Sequence, residues 1–259
     1  MTKNLSGLRA LVCGASAGIG RATAVTLAEK GAEVILLARR EERLLRLKEE
    51  IEKEGGSAII LVGDLDNRDD ISAKVQKILE AGPIHILINN TGGPKGGPIL
   101  QATEDEFLQA FSRHILSAHR LLQLLLSGMK EAGYGRIINV ISTSVYEPIP
   151  NLGVSNTTRG AMASWAKTVS RELPPKITMN NVLPGFTDTE RLSQLKKGRA
   201  VSSGTTEESV HQAWMTQVPE GRLAKPEETA AAIAFLASSE ASFIRGVSLA
   251  VDGGRLMSI

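Results

Sequence analysis

Short β-branched runs, apolar and scarcely alternating, punctuate the chain, and most are followed by a longer stretch with apolar positions at helical spacing. The runs are RALVC (9–13), EVILLA (33–38), SAIILV (57–62), HILIN (85–89), RIINVI (136–141) and ITMNNVL (177–183). Amphipathic stretches over 18–30, 41–54, 68–81, 104–131 and 153–173 lie among them. A last helix over 226–238 leads to a short strand, VSLAV (247–251). Strands that are apolar on both faces need cover on both faces, so the pattern predicts a parallel sheet between two helical layers. Right-handed crossovers then make it a Rossmann-type, doubly wound α/β sheet of seven strands.

The segment 190–217 resists this pattern. It is polar, Gly/Ser-rich in its middle, and follows the sixth strand. Ligands bind at the carboxyl ends of the strands in such sheets, which makes the segment a candidate substrate lid; the alternative is a surface excursion. No linker or internal repeat divides residues 1–259, so one domain is expected. With 42% hydrophobic and 22% charged residues, the composition is that of an ordinary globule. A net charge of +2 gives no reason to expect a nucleic-acid or membrane partner. The cations Lys196, Lys197 and Arg199 are read as a solvated face, or as a greeting for an acidic substrate. Cys13 is the only cysteine, so an intrachain disulfide and a cysteine metal cluster are excluded, and no metal is expected. The start, MTKNLSGLRALVCG, has too short an apolar run for a signal peptide, and a cytoplasmic location is expected.

The first chemistry-bearing stretch is CGASAGIG (13–20), between the first strand and the first helix. Gly14 lets the chain turn off the strand, while Gly18 and Gly20 remove side chains where backbone must approach a ligand or a neighbouring strand. With Ser16 and Ile19 they form a candidate dinucleotide-phosphate turn, because a helix N-terminus offers free N–H groups and a positive dipole end. The second strand ends in Ala38, Arg39 and Arg40. An acidic residue there would accept from the ribose 2′-hydroxyl of NAD(H). Two guanidiniums suit a 2′-phosphate instead, so NADP(H) is expected over NAD(H).

GASAGIG, VGDLDN, INNTG, GRIINVIS, VLPGFTDT and the tail from GRLAKPEET to AVDGG together resemble the short-chain dehydrogenase/reductase family, nearest its 3-oxoacyl-(acyl carrier protein) reductase type. The resemblance runs over essentially the whole chain. It implies that Asp64 and Leu65 contact the adenine, and that Asn90, Thr91 and Gly92 lie beside the adenine ribose. It further implies that Pro184, Gly185, Thr187 and Thr189 hold the nicotinamide carboxamide. Family members usually pair the 153–173 helix and the one before it across a two-fold axis, so a homotetramer or dimer is implied, with AMASWA (161–166) suited to that contact.

The family's chemistry rests on an Asn, a Ser, a Tyr and a Lys, the last two spaced YxxxK. Ser142 matches the Ser. The Tyr position holds Ser155, the Lys position Arg159, and the Asn position His114. An alkyl hydroxyl is a far weaker acid than a phenol of pKa ~10. Arg159 can bond the nicotinamide ribose but stays protonated and passes no proton along. Losing a positioned acid–base costs on the order of 10²–10⁴ in rate. Two residues could compensate. Tyr146 follows Ser142 by four and could protonate the substrate oxygen beside Arg159. His114, titrating near neutrality, could feed protons through water. The alternatives are a pocket wall for Tyr146 and a packed helix residue for His114. The expectation is an NADP(H)-dependent oxidoreductase acting on a small carbonyl or alcohol with a modified acid–base set. The competing reading is a catalytically silent dinucleotide-binding homologue serving as sensor or scaffold.

Overall fold

The computed structural model describes residues 3–258. Its seven strands, all parallel, run in the order β3-β2-β1-β4-β5-β6-β7. They are β1 (Arg9–Cys13), β2 (Glu33–Ala38), β3 (Ser57–Val62), β4 (Ile86–Asn89), β5 (Gly135–Val140), β6 (Ile177–Pro184) and β7 (Ser248–Val251). The order reverses between β1 and β4, so their carboxyl ends diverge into the crevice where such sheets bind ligands. The Rossmann-type expectation is met.

Successive strand residues point to opposite faces, and each face has its own helical cover. Ala10, Val12, Val34 and Leu36 pack beneath α1 (Gly18–Glu29), α2 (Glu41–Lys53) and α9 (Pro226–Ala237). Leu11, Cys13, Ile35 and Leu37 pack beneath α3 (Arg68–Leu79), α5 (Ser117–Ala132) and α6 (Gly153–Glu172). No described helix is long and apolar enough to cross a membrane.

Two stretches differ from the sequence pattern. The helix expected over 104–131 is α4 (Glu104–Phe111), a wider π-type turn over Ser112–Leu116, and then α5. Just after that turn the Ser117 hydroxyl donates to the Leu65 carbonyl (2.7 Å) with the Ser112 carbonyl 3.1 Å away, and within the turn His114 is buried. The irregular segment 190–217 folds as α7 (Glu190–Ser203) and α8 (Glu207–Met215). Thr189 and Thr206 cap their N-termini, and Gly204 ends α7 in the left-handed region. Phe186, stacked on Trp214 with centroids 5.0 Å apart, fastens this pair of helices to the loop after β6.

Candidate functional site

β1 delivers the chain into a turn that only bare glycines permit. Gly14 has φ +65°, and a Cβ there would lie 2.6 Å from the Asn90 carbonyl oxygen; a Cβ on Gly20 would lie 2.2 Å from the Gly14 carbonyl oxygen. α1 then starts with no side-chain cap and no acid in its first turn, leaving unpaired N–H groups and a positive dipole end facing the crevice. Gly18 faces the Thr189 methyl group, so the loop after β6 closes one side of the turn. Asn90 closes another side, its amide donating to the Cys13 carbonyl at 3.2 Å. An extended diphosphate fits this cradle chemically.

Beside the cradle lie four basic or hydroxyl groups. Arg40 donates to the Ser16 hydroxyl from Nη2 (2.9 Å) and Nε (3.2 Å). Its Nη1 also lies 3.5 Å from Glu190, while Arg43, which the sequence reading missed, pairs with Glu190 at 2.7 Å. Arg43 and Arg40 hold the Glu190 carboxyl below its ordinary range. Arg39 is exposed and only 3.5 Å from Asp64. These exposed pairs are weak in water, so the guanidiniums remain exchangeable for a doubly charged phosphate.

The other residues assigned to the cofactor fall on neighbouring strand ends. Asp64 accepts from the Asp66 N–H (3.1 Å), and Leu65 packs half-buried against the core. Gly92 has open space where a side chain would stand. Pro184 ends β6, and the Gly185 N–H donates to Val251 at 3.0 Å. Thr187 is buried, and Thr189 caps α7. Ile19 packs half-buried on the core.

The candidate catalytic residues come from the loop after β5, from α6 and from the π-type turn. Ser142 lies two residues beyond β5, and its hydroxyl oxygen accepts from the Ser144 N–H (3.1 Å), which leaves the hydroxyl proton free to donate. Arg159, one helical turn after Ser155 in α6, is buried and donates to the Val140 carbonyl at 2.9 Å. Tyr146 is 52% exposed, and its hydroxyl lies 3.5 Å from the Ser248 carbonyl on β7; among the described residues no hydrogen bond joins it to Arg159. His114 meets the Thr91 hydroxyl through Nδ1 at 2.5 Å. Burial, and then the charges of Arg159 and Arg113, push its imidazole down to about 2. It therefore stays neutral near pH 7, which corrects the expectation that it titrates there. The packed-residue alternative describes it better. Cys13, whose thiol burial pushes up to about 12, is not a nucleophile.

A polar ladder that the sequence reading overlooked underlies these strand ends. Asn89 donates to Asn139 (2.8 Å), Asn139 to Asn181 (2.9 Å), and Asn181 to the Ser248 hydroxyl (3.0 Å). All four are register partners across β4–β7. Each buried amide finds its partner only if the register is kept, so the ladder fixes where Asn90 and Ser142 emerge.

Residues 14–255 match the family model described as Enoyl-(Acyl carrier protein) reductase. The chain belongs to the short-chain dehydrogenase/reductase family. Similar family members include the 3-oxoacyl-[acyl-carrier-protein] reductase of Vibrio cholerae, 35% identical over 98% of this chain and 99% of that one. The NADPH-dependent reductase BacG of Bacillus subtilis is 31% identical over 96% and 98%. Among solved structures, L-sorbose reductase from Gluconobacter frateurii, complexed with NADPH and L-sorbose, superposes with a TM-score of 0.92 at 28% identity, covering all of both chains.

Proposed function

We propose that this family member is an NADP(H)-dependent oxidoreductase that moves a hydride between the cofactor and a small carbonyl or alcohol substrate. One observation carries the reading: the uncapped, glycine-lined start of α1 stands beside Ser16, Arg40 and Arg43, with no acid at the end of β2. The solved relative complexed with NADPH and the NADPH-dependent relative in Bacillus subtilis support the same choice of nucleotide. When bound, the nicotinamide supplies or accepts the hydride.

The chain's own residues then have these tasks. The turn at Gly14–Gly20 and the first N–H groups of α1 bind the diphosphate, and Arg39, Arg40 and Arg43 bind the 2′-phosphate. Asp64, Leu65, Asn90, Thr91 and Gly92 line the adenosine side; Pro184, Gly185, Thr187 and Thr189 line the nicotinamide side. Ser142 donates its free hydroxyl proton in a hydrogen bond to the substrate oxygen, polarising the carbonyl. Arg159, held down to about 10 by burial and then by Arg191, is still a cation at pH 7. It favours negative charge developing on that oxygen. Ser155, one turn before it, hands the oxygen a proton that water replaces. This acid is weaker than a phenol, so turnover is slow rather than absent. Pairing of α5 and α6 with a second copy belongs to the same family reading.

The test is oxidation of NADPH, followed by its absorbance, against a panel of aldehydes and ketones, with Ser142→Ala alongside. Turnover that falls by about a hundredfold or more in the variant supports the proposal. Tight NADPH binding with no turnover on any carbonyl or alcohol would favour the silent sensor instead.

A further inference from the structure

Seven of the 17 arginines are held by carboxylates or by several main-chain carbonyls. Arg9, Arg21, Arg43, Arg113 and Arg222 pair with carboxylates. Arg136 and Arg245, which hold backbone together, each donate to three main-chain carbonyls. Arg159 and Arg191 are among those that follow neither pattern, and both lie at the crevice. Among the described residues Arg159, although buried, donates only to Val140, and Arg191, half-buried at the start of α7, only to Pro94 at 2.6 Å. Neither has a carboxylate within ion-pair distance among the described residues.

The two guanidiniums converge. Both Nη2 atoms lie 3.8 Å from the place where a Cβ on Gly93 would stand, so they are no farther apart than twice that distance. Their mutual repulsion is one reason Arg159 holds its proton less tightly than usual. A buried cation beside a second cation, with no anion, is costly in a folded protein. An oxyanion between them would remove that cost and could take donors from both forks. Their position says whose anion it would be. Gly93 lies in the loop after β4, Val140 is two residues before Ser142, and Arg191 stands on the α7–α8 excursion. The cofactor's diphosphate already has the start of α1, at the carboxyl end of β1.

We propose that Arg159 and Arg191 form a binding site for the acid group of the substrate, so that the carbonyl compound this protein reduces is an oxo acid carrying a free carboxylate or phosphate. The identification of the bound molecule as the substrate rests on the reading given under Proposed function; the anion site itself does not.

The experiment compares 3-oxobutanoate with its methyl ester, which differs from it in charge, on the NADPH-loaded protein. Binding is read by ligand-induced thermal shift and by quenching of bound-NADPH fluorescence, neither of which needs turnover. Wild type should bind the acid at least tenfold more tightly than the ester, and the preference should shrink with salt. Arg191→Gln should bring the ratio within about twofold, Arg191→Lys should keep part of it, and NADPH affinity should shift less than threefold in both. Equal binding of acid and ester by wild type would overturn the proposal. So would an Arg191→Gln protein that loses NADPH affinity tenfold while keeping its acid preference, because the pair would then serve the cofactor's diphosphate. If NADPH does not bind at all, the cofactor reading fails; the same acid–ester comparison on the nucleotide-free protein still decides the anion site.

Discussion

Replacing His114 by asparagine should flatten the acid limb of the stability curve. The imidazole is buried beside two cations, Arg159 and Arg113, and stays neutral in the folded chain down to a pH of about 2. In the unfolded chain it titrates near 6.5. Between those values the unfolded state binds the extra proton, so folding loses stability as pH falls through the unfolded value. The loss approaches ~1.4 kcal/mol per pH unit and amounts to about 2 kcal/mol on going from pH 6.5 to 4.5. Asparagine can keep a hydrogen bond to Thr91 and has nothing to titrate. Urea unfolding of both proteins from pH 7 to 4.5 isolates this one group, because every carboxylate contributes equally to the two curves. The wild type should fall about 2 kcal/mol further than His114→Asn over that range. Parallel curves would refute the reasoning, and would show that His114 takes up a proton in the folded state. The same argument says that the pH–rate profile of hydride transfer carries no inflection from His114 between pH 5 and 8.

Three other expectations follow from single distances. Asn139→Ala removes the middle rung of the ladder and leaves an Asn89 N–H and an Asn181 carbonyl oxygen unpaired in the core; denaturant unfolding should show a loss of about 2–5 kcal/mol, and a loss under ~1 would mean the rungs are not coupled. Gly20→Ala places a Cβ 2.2 Å from the Gly14 carbonyl oxygen, so the turn must open; NADPH affinity should drop more than tenfold and stability by about 1–3 kcal/mol, whereas unaltered binding would contradict the cradle. Tyr146→Phe should change kcat less than about threefold, since the phenol is half-exposed and its hydroxyl lies 3.5 Å from the Ser248 carbonyl; a loss of 10² or more would make it the acid.

The sheet was legible because its strands had to be. Covered on both faces, Leu11 and Val12 or Ile35 and Leu36 must all be apolar, and that gives uninterrupted runs. The turn was legible because Gly14 and Gly20 stand where any Cβ would collide. α7 was not, because its residues lean on a small local core through Leu192, Leu195 and Ala200 and show little helical periodicity; its caps, Thr189 and Gly204, were the available signal. The π-type turn was hidden inside one continuous amphipathic pattern. The convergence of Arg159 with Arg191 and of Arg40 with Glu190 depends on strand order, which brings distant segments to one crevice. Periodicity carries no trace of that. The asparagine ladder did leave a trace, as an asparagine among the buried positions of three neighbouring strands, Asn89, Asn139 and Asn181.

The central claim is a dinucleotide site that reads a 2′-phosphate through Arg40 and its neighbours. Its most direct test is a paired titration of the purified protein with NADPH and NADH, by nucleotide fluorescence, repeated on Arg40→Ser. Charge-assisted hydrogen bonds to a phosphate are worth about 1.5–3 kcal/mol, so NADPH should bind roughly tenfold to a hundredfold more tightly, and the variant should lose most of that difference while still binding NADH. Equal or weaker binding of NADPH in the wild type would contradict the account, and binding of neither nucleotide would remove its foundation.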